Sequence, residues 1–187
     1  MLNLKKYIEL IISTQCIFIS SLIPIYISFP LKLNSLTITD LPINWQIPTI
    51  IFLTILFSGE ILIKSHTIFL TLGLFFLPLF NDGGSLGYIL TPNFGFLLGI
   101  YPMIIYINKL NSNTIISIFK FILYGIAGLL IFHFTGIIYL VVQLLIFSRP
   151  DLILYSIGKY SLTNFPFHLL MLFPCSLLLL CFKKIKL

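Results

Sequence analysis

Hydrophobic positions in this chain fall into long, nearly unbroken runs instead of alternating with polar ones. The first runs from Tyr7 to about Phe29, behind Lys5 and Lys6. A polar, turn-rich stretch occupies residues 30–45, and apolar runs follow at about 46–63 and 66–80. Three more cover about 93–108, 114–147 and 162–182. A helix needs about 20 residues to cross the hydrocarbon core of a bilayer. The pattern therefore predicts six transmembrane helices in a single membrane domain over residues 1–187. The run at 66–80 is short for a span, so the bilayer thins locally or the following loop dips into it. A dipping loop must be buried in protein or line a cavity. The run at 114–147 is too long for one straight span and predicts an interfacial piece before Ser148-Arg149-Pro150-Asp151. The in–out alternation of barrel strands is missing, and the expected fold class is all-α and polytopic.

The pattern breaks most sharply between Leu77 and Gly99. Asn81, Asp82, Gly83, Gly84, Ser85 and Gly87 follow an apolar run, and Thr91-Pro92-Asn93 precedes the next. Thr91 suits a helix N-cap, and Pro92 suits the first helical position because its missing N–H is not needed there. Glycines let backbone amides approach a ligand closely, and the helix start adds free N–H donors. Gly and Asn are also ordinary turn residues, so a simple connection between two membrane helices fits equally well.

Composition agrees with the pattern. Of 187 residues, 59% are hydrophobic and 9% charged, with a mean hydropathy of +1.12, which excludes an ordinary soluble domain. The net charge of +6 does not indicate nucleic acid, because the lysines sit at the ends of apolar runs and form no basic face interleaved with aromatics. Topology explains it better. With both termini cytoplasmic, Lys5, Lys6, Lys64, Lys109, Lys120, Lys183, Lys184 and Lys186 face inward, against only Lys32, Arg149 and Lys159 outside. That orientation gathers the Gly-rich stretch, the Trp45 loop and the start of the sixth helix on the outer face. No small-x-small cleavage site follows the first run, so it reads as a retained span. Cys16, Cys175 and Cys181 lack metal-ligand spacing. The chain shows no P-loop, H-E-x-x-H, supported Ser/His/Asp set or inverted repeat. A binding or permeation role thus outranks catalysis, with no catalytic residue, metal or cofactor expected.

Several polar or small residues inside the runs need an assignment. Ser13, Cys16 and Ser20 give the first helix a small face, suited to a partner helix or to packing within the chain. Trp45 suits an interfacial anchor or a lid over a ligand. Glu60 is expected at the interface beside Lys64. His133 and Gln143 lie within the fifth run, where a polar residue marks either function or an interhelix hydrogen bond. Asn164, Pro166 and His168 open the last run.

Together these segments resemble the BioY family, the biotin-specific substrate-binding (S) components of energy-coupling factor (ECF) transporters. Leu41-Pro42-Ile43-Asn44-Trp45-Gln46 matches the family's V-P-I-T-L-Q. Phe76-Leu77-Pro78-Leu79-Phe80, Gly83-Gly84 and Thr91-Pro92-Asn93-Phe94-Gly95-Phe96-Leu97-Leu98-Gly99 follow its G-L-P-V-F, Gly-Gly and G-P-T-G-G-Y-L-x-G. Thr91, Phe94 and Phe96 depart from it. The Asp and Lys of the family's last-helix P-G-D-x-x-K fall at His168 and Met171, and an Arg that some members carry falls at Leu97. The resemblance implies a multi-pass subunit of the cell membrane that captures biotin from the outer face, with a transmembrane coupling subunit and ATPase subunits on other chains. It implies a ligand site at Asn81, Asp82, Gly83, Gly84, Ser85, Tyr88, Asn93 and His168. Asn81, Asp82 or Ser85 would accept from the ureido N–H groups, while Phe80, Tyr88, Phe94 or Trp45 would line the ring. It also implies docking of the coupling subunit on the face of Ser13, Cys16 and Ser20. Another vitamin or small organic solute is the alternative ligand. A membrane-embedded enzyme or an assembly protein using Asp82 and His168 is the alternative class.

Overall fold

The computed structural model describes residues 4–32, 35–80, 83–111 and 117–183. Long helices run α1 (Leu4–Leu22), α2 (Gln46–Leu56), α3 (Gly59–Phe75), α4 (Pro92–Leu110) and α5 (Ile118–Ile146). The short α6 (Ile153–Ile157) precedes α7 (Phe165–Lys183). The six long helices alternate in direction and form a membrane bundle. Ile118–Ile146 and Pro150–Leu179 are long and apolar enough to cross a bilayer by length and composition alone. Large apolar side chains such as Ile11, Ile19, Phe134 and Phe173 point outward, as a lipid-facing surface requires.

The first expected span ends early. Helix α1 stops at Leu22, and an antiparallel hairpin of β1 (Pro24–Lys32) and β2 (Ser35–Asn44) replaces the anticipated helix end and loop. Pro24 cannot continue a helix, while Tyr26 and Ile27 pair with Asp40 and Thr39 of a strand rich in Thr and Ile, residues that favour pleated structure. Register shifts lie beside Pro24 and Pro30, where a missing N–H disturbs the ladder least. Ile25 and Ile43 at the hairpin base are buried with Met171 of α7, so the hairpin closes one end of the bundle.

The second and third spans also divide elsewhere than expected. The break falls at Phe57-Ser58, ahead of Glu60 and Lys64. The end of α4 fixes it: Gly59 N–H donates to Asn108 Oδ1 at 3.1 Å, and Asn111 Nδ2 donates to the Ile55 carbonyl at 3.4 Å. Helix α3 then has 17 residues, removing the apparent shortfall of the third run. Glu60 and Lys64 pair at 2.6 Å on its exposed side. The fifth run differs from expectation: α5 continues unbroken from Ile118 to Ile146, 29 residues, with no interfacial piece before Ser148, and the short helical turns come after it, at Pro150–Leu152, α6 and a π-turn at Gly158–Leu162.

Helices α4 and α5 form the most intimate pair. Gly95 and Gly99 are spaced as a small-xxx-small face, and a Cβ at Gly99 would lie 2.7 Å from the Phe132 carbonyl oxygen. On α1, Ser13 is fully buried and its Oγ lies 2.6 Å from Ser65 Oγ of α3. Ser20 is buried too and donates to the Ile17 carbonyl at 3.1 Å, while Cys16 is half-buried against the core. The small face of α1 is thus turned inward onto the chain's own helices.

Candidate functional site

The end of the bundle that carries the hairpin holds a cavity of about 100 Å³, or some 650 Å³ when its open mouth is included. Its walls come from the hairpin base, α2, the segment before α4, α4 itself, α5 and the start of α7. Aromatic rings dominate. Phe80 and Tyr88 pack with centroids 4.3 Å apart, Phe96 and Phe132 lie 5.6 Å apart, and Phe132 meets His168 edge-on at 5.8 Å. Such a lining suits a mostly apolar ligand with a few placed polar contacts.

Four side chains supply most of the polar character. Asn44 donates from Nδ2 to the Ser21 carbonyl at 3.0 Å and accepts the Gln46 N–H at 3.2 Å, tying the end of α1 to the start of α2. Gln46 is only 6% exposed, lines the cavity, and its Nε2 has no hydrogen-bond partner among the described residues. Asn164 donates from Nδ2 to the Tyr160 carbonyl at 3.0 Å, leaving Oδ1 buried without a partner among those residues. One helical turn further, His168 also lines the cavity. Its Nδ1 lies 3.2 Å from His133 Nε2, and His133 Nδ1 lies 2.8 Å from Ser161 Oγ. A buried donor or acceptor without a partner is costly. Gln46 and Asn164 therefore offer one donor and one acceptor to whatever enters.

The sequence-predicted site divides. Tyr88, Asn93 and His168 line the cavity, as does Phe80. Gly83, Gly84 and Ser85 do not; Gly84 and Ser85 border a separate surface concavity beside the exposed Phe75 and Phe76. Gly83 has φ +98° and its N–H donates to the Phe80 carbonyl at 2.9 Å. A Cβ on Gly84 would overlap the carbonyl oxygens of Leu77 and Gly73, so the loop folds tightly back on the end of α3. Ser85 is exposed. Asn81 and Asp82 lie outside the described residues. Phe94 is buried against Tyr139, with centroids 5.8 Å apart. Trp45 packs against both hydrophobic clusters between the lining residues Asn44 and Gln46, without lining the cavity itself. Thr91 occupies the N-cap of α4, but its hydroxyl donates back to the Tyr88 carbonyl at 2.8 Å instead of capping.

Gln46 and Asn164 are the residues that spacing alone did not single out. Gln46 was visible only as the last position of P-I-x-x-Q, and Asn164 only as a polar residue opening an apolar run. The two intramembrane polar residues of α5 also find roles. Gln143 Nε2 donates to the Leu90 carbonyl and Tyr139 to that of Ile89, which pins the Leu86–Leu90 turn to α5. His133 belongs to the Ser161–His168 chain.

A helical membrane bundle with a partly polar, aromatic-walled cavity near one end defines a protein that holds a small solute within the membrane. The chain belongs to the BioY family, whose sequence profile matches residues 2–186. A probable biotin transporter BioY of Lysinibacillus sphaericus is 30% identical over 120 residues, 64% of this chain and 58% of that protein. The match therefore spans less than two thirds of that relative. The crystal structure of the S-component for biotin from an ECF-type ABC transporter has the same fold, with a TM-score of 0.65 and 22% identity over 95% of this chain and 94% of that one.

Proposed function

We propose that this chain is the substrate-binding subunit of an ECF-type vitamin transporter and that it captures biotin in the cavity between the hairpin, α2, α5 and α7. The observation that carries this reading is the pairing of Gln46 Nε2 and Asn164 Oδ1, one donor and one acceptor without partners among the described residues, within an aromatic lining. Biotin has the complementary groups: ureido N–H donors for Asn164, ureido carbonyl for Gln46, and an apolar ring for Phe80, Tyr88 and Phe132. Membership of the BioY family, and the names of the two relatives, support the choice of ligand. Asn81 and Asp82 stand as further ligand contacts on sequence grounds. Energy would come from a transmembrane coupling subunit and ATPase subunits on other chains.

Helix alternation supports cytoplasmic termini in the cell membrane. Lys5, Lys6, Lys64, Lys109, Lys120 and Lys183 fall toward one end of the bundle, with Lys32, Arg149 and Lys159 at the other. The cavity then opens outward. Labelled biotin binding to the purified chain tests the ligand directly. Saturable binding displaced by unlabelled biotin is expected; no binding, alongside tight binding of another vitamin, would keep the architecture and discard biotin. Orientation is checked in a background lacking Cys16, Cys175 and Cys181. A cysteine at Ser85 should react with an impermeant thiol reagent on intact cells, and one at Lys186 should not.

A further inference from the structure

The chain Ser161–His133–His168 determines which proton His168 shows to the cavity. Three facts constrain it. Ser161 is 3% exposed, and its hydroxyl has only one hydrogen-bond partner among the described residues, His133 Nδ1 at 2.8 Å. His133 Nε2 then meets His168 Nδ1 at 3.2 Å. His168 lines the cavity with the remainder of its ring.

Two neutral arrangements satisfy the central histidine–histidine bond, since a neutral imidazole carries one donor and one acceptor nitrogen. In the first, Ser161 O–H donates to His133 Nδ1, His133 Nε2–H donates to His168 Nδ1, and His168 keeps a proton on Nε2. In the second every bond is reversed: His168 Nδ1–H donates to His133, and His133 Nδ1–H donates to Ser161 Oγ. The second strands the Ser161 hydroxyl proton in a buried site without an acceptor among the described residues. A stranded buried donor is the more costly outcome, so the first arrangement prevails.

We infer that Ser161 and His133 are positioning residues that fix His168 as an Nε2–H donor toward the cavity, so that it selects a ligand bearing an acceptor oxygen there. This deepens the reading of the cavity as the biotin site and rests on it for the ligand, whose ureido carbonyl and carboxylate both offer such an oxygen. This donor joins Gln46 Nε2 and the acceptor Asn164 Oδ1, which have no partner among the described residues. Discrimination follows: a ligand with an N–H in that position would meet donor against donor.

Nitrogen-15 spectra of the histidine-labelled full chain report the tautomer without any ligand. The chain has three histidines. His66 Nε2 faces the Leu97 carbonyl at 2.9 Å and so carries its proton there. The expected result is that all three are protonated at Nε2 and bare at Nδ1, with assignments from His133→Asn and His168→Gln. Ser161→Ala should release the constraint, giving a population of His168 protonated at Nδ1 and biotin binding weaker by about 2- to 10-fold. Ser161→Thr, which keeps the hydroxyl, should restore both. His168 protonated at Nδ1 in the wild-type protein would overturn the inference, as would a Ser161→Ala spectrum and affinity identical to wild type. If wild-type protein fails to bind biotin, the ligand assignment falls, while the spectra still decide the tautomer.

Discussion

The Gly-rich segment before α4 and the corner where the π-turn meets α7 reach the same cavity by opposite means. The first is dense in turn residues, and three of its N–H groups bond within it: Gly83 to Phe80, Tyr88 to Ser85 and Thr91 to Tyr88. Gly84 lies against the Gly73 and Leu77 carbonyl oxygens at the end of α3, and what the segment gives the cavity is mostly wall, through Leu79, Phe80 and Tyr88. The second has few turn residues but supplies Asn164 and His168, whose polar atoms are not all used within the fold. Glycine at position 84 marks close packing, whereas an unfinished hydrogen-bond inventory at the wall of a cavity marks recognition.

The largest effect that would break this comparison is at Gly84. Gly84→Val should destabilise the protein by at least the about 1–3 kcal/mol typical of overpacking, because backbone oxygens cannot rotate away as side chains can. Thermal unfolding in detergent measures it, and an unchanged midpoint would return the glycines to the role of a ligand cradle. Next comes Asn164→Leu, which should weaken biotin binding by roughly 5- to 150-fold with little change in unfolding temperature.

Gln46→Leu sharpens the contrast further. Removing a buried donor that has no partner should hold or raise thermal stability while lowering biotin affinity by roughly 5-fold or more. Calorimetric unfolding and ligand binding on the same preparation separate the two effects, and a loss of stability would show that Gln46 serves the fold. The smallest effect is expected at exposed Ser85: Ser85→Ala should leave affinity within about twofold. A larger loss, seen in the same equilibrium binding assay, would bring the Gly-rich segment back into the site.

Much of the fold was legible along the chain. Long apolar runs with lysines at their ends dictate a helical membrane bundle of six alternating spans, since lipid offers backbone groups no hydrogen bonds and forces them into helices. Pro92 at the start of α4 was equally local, and the spacing of P-I-x-x-Q, Gly-Gly and P-x-x-G pointed to the family. Tertiary structure decided what depends on contacts between distant segments. The hairpin forms because Ile25 and Ile43 find Met171 of α7. The break between α2 and α3 sits at Ser58 because Asn108 and Asn111 reach it from the end of α4. Ser13 and Ser20 turn inward because α1 packs on α3. Whether a polar side chain belongs to a site depends on which of its atoms the fold leaves without partners. That is a sum over neighbours far apart in sequence: Gln46, Asn164 and Gln143 each keep one buried atom without a partner among the described residues, but only Gln46 and Asn164 are brought to the cavity, while Gln143 Nε2 serves the Leu90 carbonyl.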